Sequence, residues 1–117
     1  MPFTVREKRT FSHPATAVWR AAQAAVAGLE GTVLAENAGR GTLEAKFPKR
    51  IHGKVLGDRT HLLVQLSQDT EAATEVLAEV YPLDAIGRKL MFGARKGVPQ
   101  TVMNWFFAHL EHHLSSG

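Results

Sequence analysis

Apolar positions along this chain change period several times, and each change marks an element. Between Phe3 and Ser12, Phe3, Val5 and Phe11 share one parity while Thr4, Arg6, Lys8 and Thr10 share the other, which predicts a strand. Glu7 and Arg9 fall on the apolar parity. A bulge or a solvated strand end is the favoured account of them, since lone charges avoid cores. The alternative is two charged side chains facing a wet groove. The period then lengthens: Ala15, Val18, Ala22, Ala25, Val26 and Leu29 recur at helical spacing, with Thr16, Arg20 and Gln23 off the stripe. Ser12 or His13 can cap this helix, Pro14 suits its first turn, and Gly28 or Gly31 can end it. Its alanines permit a close approach to a sheet, and Trp19 borders the stripe, placed to cover the sheet's edge.

Short alternating segments with turn signals between them follow, the pattern of an antiparallel meander. Thr32 to Glu36 is one strand, and Asn37-Ala38-Gly39-Arg40-Gly41 is a turn. Leu43, Ala45 and Phe47 alternate with Thr42, Glu44 and Lys46, and Arg50 to Leu56 reads as one basic strand with Ile51 and Val55 on one side. After a turn at Gly57-Asp58-Arg59, Leu62, Val64 and Leu66 form the next apolar face, and Val76, Ala78 and Val80 the last, with Pro82 ending that strand. Leu83 to Gly97 is interrupted by Gly87, Gly93 and Gly97 and reads as a loop with a short helical turn. A final helix from near Val98-Pro99 to about Leu114 carries Val102, Met103, Phe106, Leu110 and Leu114 on its buried stripe, with Phe107 beside it.

The predicted order is β-α-β-β-β-β-β-α, a single α+β domain over 1–117 with an antiparallel sheet covered on one face by two helices. The other face, carrying Thr42, Glu44, Lys46, Glu75 and Glu79, can stay in water. This order, with the segment Phe11-Ser12-His13-Pro14-Ala15-Thr16-Ala17-Val18-Trp19 at the strand-to-helix transition, resembles the helix-grip domains of the START and birch-pollen-allergen-like superfamily (SRPBCC). In that superfamily a curved sheet grips a long C-terminal helix. The resemblance implies a cavity between sheet and last helix holding an apolar ligand. The chain is short for the superfamily, and Met103, Trp105, Phe106 and Phe107 are large enough to fill that space instead.

Composition narrows the chemistry. The 117 residues hold no cysteine, so a disulfide, a thiolate nucleophile and a cysteine-bound metal are all excluded. The N-terminus turns charged where a signal peptide needs its apolar stretch, and no apolar run approaches the roughly 20 residues of a membrane span, so a cytoplasmic location away from membranes is expected. The net charge of +3 is unevenly spread. Basic residues cluster at Lys46, Lys49, Arg50, Lys54 and Arg59 and again at Arg88, Lys89, Arg95 and Lys96, on either side of a stretch that is purely acidic.

Candidate chemistry is sparse. His109 and His113, four apart on the last helix, could approach one metal ion, but HxxxH lacks a third ligand. Histidines favoured by the negative end of a helix are the simpler reading, and neither metal nor cofactor is expected. The basic segments 46–59 and 88–96 could follow a phosphate backbone; a solvated strand edge explains them as well, no nucleic-acid motif accompanies them, and nucleic acid is not the expected partner. Gly93-Ala94-Arg95-Lys96-Gly97 could cradle an anion but has no Walker spacing, and a flexible loop is the better reading. Acid–base candidates are Glu7, His13, His52, His61 and Asp84, without a nucleophile elbow or triad context, so no catalysis is expected.

The expected function is binding of an apolar or amphipathic small molecule between the sheet and the C-terminal helix, touched by Trp19, Phe92, Met103 and Phe106, with Arg9 as the orienting polar group and Glu7 beside it. A rival is self-association as a homodimer through Trp105, Phe107 or Leu90-Met91-Phe92, because one helix stripe cannot bury so many aromatics. The third alternative is nucleic-acid or anion binding through the basic segments.

Overall fold

The computed structural model describes residues 4–90 and 97–116. Phe92, Met91, Arg95 and Lys96 fall outside these residues. In chain order the elements are β1 (Val5–Phe11), α1 (Ala15–Gly28), β2 (Thr32–Asn37), β3 (Thr42–Phe47), β4 (Arg50–Ile51), β5 (Lys54–Val55), β6 (Arg59–Thr70), β7 (Ala73–Leu83) and α2 (Val98–Ser116). Among the described residues the main sheet has five strands in the order β1-β7-β6-β3-β2, each neighbouring pair antiparallel. Leu43, Ala45 and Phe47, Leu62, Val64 and Leu66, and Val76, Ala78 and Val80 are buried on one face and cluster with the stripes of both helices. The opposite face holds Lys46, Glu44 and Glu79, with Leu63 and Leu77 partly exposed among them.

One predicted strand divides. Arg50 to Leu56 is a separate two-stranded hairpin, β4 paired with β5, rather than a member of the main sheet. The cause is local: His52 and Gly53 both have positive φ, 52° and 79°, the pair of left-handed residues that a two-residue hairpin turn requires. Alternation alone cannot see this, because Ile51 and Val55 keep the same parity on either side of the turn.

The ends of α1 also depart from expectation. Pro14 occupies the N-cap with no side-chain cap, so neither Ser12 nor His13 serves. At the other end Glu30, not a glycine, takes the left-handed conformation with φ 63°, while Gly31 donates to the Val26 carbonyl at 2.9 Å. Gly31 is required for space: a Cβ there would lie 2.5 Å from Cε1 of Phe47, a fully buried ring. The corner from β1 into α1 is tied by Thr74, whose buried hydroxyl donates to the His13 carbonyl at 2.9 Å.

Before α2, Asp84 organises a turn by accepting from the backbone N–H groups of Ile86 and Arg88 at 3.0 and 2.8 Å. On α2 itself Val102, Met103, Phe106, Phe107 and Leu110 all have zero exposure. The expectation that the aromatics exceed what one stripe can bury is therefore corrected for Phe107. Consecutive helical residues point about 100° apart, so burying both needs two walls. The sheet, through β1 and β7, is one; α1, packed along α2, is the other. The rings of Phe106 and Phe107 meet edge to face at 5.3 Å, and Phe11 of β1 stacks on Phe107 at 6.2 Å.

Replacing Gly31 by Ala forces a methyl into the Phe47 ring, and we expect a loss of about 1–3 kcal/mol in urea unfolding with the m-value unchanged. A variant as stable as the parent would show that the Phe47 ring moves aside freely.

Candidate functional site

The sequence places charge on the apolar parity of β1, and the structure keeps it there. The register from Val5 opposite Val80 to Phe11 opposite Thr74 runs without a bulge, so the favoured bulge is corrected and Glu7 and Arg9 face α2. They are tolerated because β1 is an edge strand and each finds partners. Gln100 donates to Glu7 at 2.8 Å, Arg9 donates to Glu7 at 2.9 Å and to Glu111 at 3.2 Å, and the Arg9 guanidinium lies 4.2 Å above the Phe107 ring. The hydrogen bond from Gln100 and the neighbouring Arg9 hold the Glu7 carboxyl below its ordinary range against the opposing effect of burial. Arg9 is thus a clasp between sheet edge and helix, closing the core over Phe107.

The residues expected to share one cavity are dispersed. Met103 and Phe106 are sealed in the core with zero exposure, so no solvent-sized space adjoins them between sheet and α2. Arg9 sits at the β1 edge, and Phe92 lies outside the described residues. Trp19, of the five, lines a cavity. That cavity, about 380 Å³ and open to solvent, is lined by the first turns of α1 (Ala15, Thr16, Trp19, Arg20), the β2–β3 turn (Ala38 to Gly41) and Leu66 and Gln68 of β6. Gly41 shapes its wall. With φ 70° its carbonyl accepts from the Leu66 N–H at 2.8 Å, and a Cβ there would come 2.8 Å from the Leu66 carbonyl oxygen. Only glycine lets the turn lie this close to β6.

Two further depressions flank the helices. One of about 490 Å³ runs between α1 and the end of α2, along Ala17, Ala21 and Ala24 to His113 and Leu114. The other, about 270 Å³, is lined by Leu29, Ile51, His52, Lys54, Trp105 and His109. There His52 and His109 lie parallel at 6.5 Å, Lys54 caps the Trp105 ring at 5.7 Å, and Glu30 accepts from the His52 backbone N–H at 3.2 Å. His109 and His113 therefore serve different depressions. Among the described residues no group of three or more His, Asp or Glu side chains is placed to hold a metal ion.

The remaining acid–base candidates do not converge. His61 is buried on the outer sheet face, 3.1 Å from the Glu44 carboxylate and stacked on Tyr81 at 4.7 Å. Burial, then the charges of Glu44 and Glu79, push the Tyr81 hydroxyl up. Asp84 is held below its usual range, first by the Arg88 backbone N–H, and pairs with Arg88 at 3.3 Å. Of the basic windows, Arg59 donates to the carbonyls of Asp84 and Ala85, and Lys89 covers Tyr81.

No family model matches the chain, and no curated protein matches it in sequence. Solved structures do match in shape. The protein MLL2253 from Mesorhizobium loti superposes with TM-score 0.60 at 22% identity over 97% of each chain. The allergen Ara h 8.0201, a birch-pollen-allergen-like protein, gives 0.54 at 14% identity over 96% of this chain and 97% of its own. The fold is Bet v1-like. The di-domain ARO/CYC protein StfQ from the steffimycin biosynthetic pathway gives 0.58 at 9% identity, over 91% of this chain but 42% of its own. At these identities the likeness establishes the fold alone. No helix among the described residues is long and apolar enough to cross a membrane.

Trp19 was expected beside the last helix; the cavity it lines is bordered instead by residues of the β2–β3 turn and β6. Arg40 and Gly41 read as turn residues and Gln68 was not singled out, and their meeting with α1 depends on how β6 carries the β2–β3 turn towards the helix.

One pH dependence follows from the α2 histidines. Burial holds His109 below its ordinary 6.5, and charge on His113, His52 and His112 adds to the effect. The unfolded chain then takes up a proton near pH 6.5 that the folded chain refuses, so stability falls as pH drops from 6.5 towards the lower folded value. We expect the urea midpoint to decline from about pH 7.5 to about pH 5.5, and His109→Gln to flatten that decline. An unchanged slope in the variant would assign the dependence to other groups.

Proposed function

We propose that this domain binds a small amphipathic molecule, and that it does so at the Trp19 cavity rather than between the sheet and the last helix. The observation that carries the reading is the contrast between the two places. Between sheet and α2, Met103, Phe106, Phe107 and Leu110 leave no exposed surface for a ligand. At the N-terminal end of α1, an indole, two alanine methyls and Leu66 line an open space with Thr16 and Gln68 at hand as polar groups. Its volume of about 380 Å³ falls within the roughly 300–1,000 Å³ typical of small-molecule sites. The indole supplies a large flat apolar surface that loses little conformational freedom on binding. The Bet v1-like fold, which StfQ also shares, agrees with a small-molecule role. No constellation of side chains in the described residues supports a catalytic step, so the proposal is binding.

The test uses Trp19 as its own reporter. In a Trp105→Phe background, titration with the neutral fluorophore phenylnaphthylamine should quench Trp19 emission and raise that of the probe. Ala38→Phe, which places a ring in the cavity from an exposed turn, should weaken binding about tenfold or more, as loss of an apolar ring contact of about 1.5 kcal/mol would. Binding unaffected by Ala38→Phe, or no binding, would remove the Trp19 cavity from consideration.

A further inference from the structure

The rim of the Trp19 cavity carries charge that nothing among the described residues balances, and we infer that the ligand is an anion: a small, flat, largely apolar molecule bearing a carboxylate, sulfonate or phosphate. This deepens the proposed function and rests on it for the location of the site.

Arg20 and Arg40 both line the cavity, one from α1 and one from the β2–β3 turn. No Asp or Glu lines it. Seven of the other ten described Lys and Arg side chains are engaged, and Lys46, Lys49 and Arg50, which are not, line none of the three depressions described above. Arg6 pairs with Glu79 at 2.6 Å, Lys8 with Glu75 at 3.9 Å, Arg9 with Glu7 and Glu111, and Arg88 with Asp84. Arg59 is held by two carbonyls, and Lys54 and Lys89 lie over aromatic rings. By contrast, neither the Arg20 nor the Arg40 guanidinium has a hydrogen-bond or ion-pair partner among the described residues. Glu36, the acid that leads into the turn, is engaged by Gln23 at 2.8 Å, about two helical turns along α1 from Thr16. Two like charges facing one open space repel, and an anion seated between them relieves that repulsion and fills two planar donor forks. The apolar floor of Ala15, Trp19 and Leu66 beneath them demands that the rest of the ligand be apolar, with the ring stacked on the indole.

The segregation has a structural origin. Arg20 follows Trp19 directly, so the helix turns the guanidinium about 100° from the indole, towards the rim. Arg40 precedes Gly41, whose close approach to Leu66 fixes the turn and presents its neighbour at the mouth. A positive rim above an apolar floor selects for molecules with one charged end.

The experiment compares two probes of similar shape, anilinonaphthalene sulfonate and neutral phenylnaphthylamine, on the parent protein and on Arg20→Gln, Arg40→Gln and Ala38→Phe. Both arginines are exposed, so their variants should fold, with unchanged melting temperature as the control. The inference expects the sulfonate to bind at least about tenfold tighter than the neutral probe, and each arginine variant to erase most of that advantage by weakening the sulfonate far more than the neutral probe. Raising salt should weaken the sulfonate alone. Neutral-probe binding that depends on Ala38 while the sulfonate ignores both arginines would overturn the anionic class and leave the cavity standing. Sulfonate binding that depends on the arginines but not on Ala38 would mean adsorption to surface charge, and would overturn the inference. Failure of both probes would remove the cavity reading and this one with it.

Discussion

The adjacent aromatics Phe106 and Phe107 impose the constraint on which the rest of the structure depends. Two neighbouring rings on one helix cannot both face a single sheet, so the last helix needs a wall on each of two sides. The sheet supplies one and the alanine-rich helix α1 the other, approaching closely because Ala21, Ala22 and Ala25 present only methyl groups. The rings are sealed at the open edge by Arg9, whose guanidinium lies on Phe107 while its charge is balanced by Glu7 and Glu111. Removing either aromatic from such a site costs about 3–5 kcal/mol, a large share of the stability of a domain this size.

That solution has a functional consequence. Between the sheet and the last helix, where a ligand cavity was expected, Met103, Phe106, Phe107 and Leu110 are fully buried. Open space is displaced to where α1 parts from the sheet. At its N-terminal end the helix stands over the β2–β3 turn and β6, and Trp19 spans the gap without closing it. The same displacement explains why polar groups gather there. A cavity at the periphery borders solvent, so arginines can line it without the desolvation cost that would exclude them from the core.

How much of this was legible in the sequence varied with the range of the signal. Both helical stripes could be read, because a period of 3.6 over four or five turns is a strong local pattern. The α+β class and the single covered face followed from them. The hairpin at Arg50 to Val55 was not legible, since its cause lies in two backbone conformations at His52 and Gly53 that leave the alternation of Ile51 and Val55 intact. Glu7 and Arg9 were misjudged for the opposite reason: their pattern was plain, but the rule that charges avoid cores assumes they arrive alone. Gln100 and Glu111 lie about a hundred residues away and give no local sign of meeting them.

The Trp19 cavity sits at the far end of that scale. Its walls come from segments 15–20, 38–41 and 66–68, joined by no spacing rule and no motif. What the sequence did hold was a residue-level oddity, a tryptophan beside rather than within an apolar stripe. An indole in that position has one face to pack and one to offer, since the stripe buries only the side turned to the core. The turn glycines carry the other half of the information. Gly41 is needed because the turn must touch β6, and a turn that touches β6 also brings Arg40 to the cavity that Trp19 lines. The arginine at the rim and the apolar floor are therefore brought to one cavity by a single steric requirement, the close approach of the β2–β3 turn to β6.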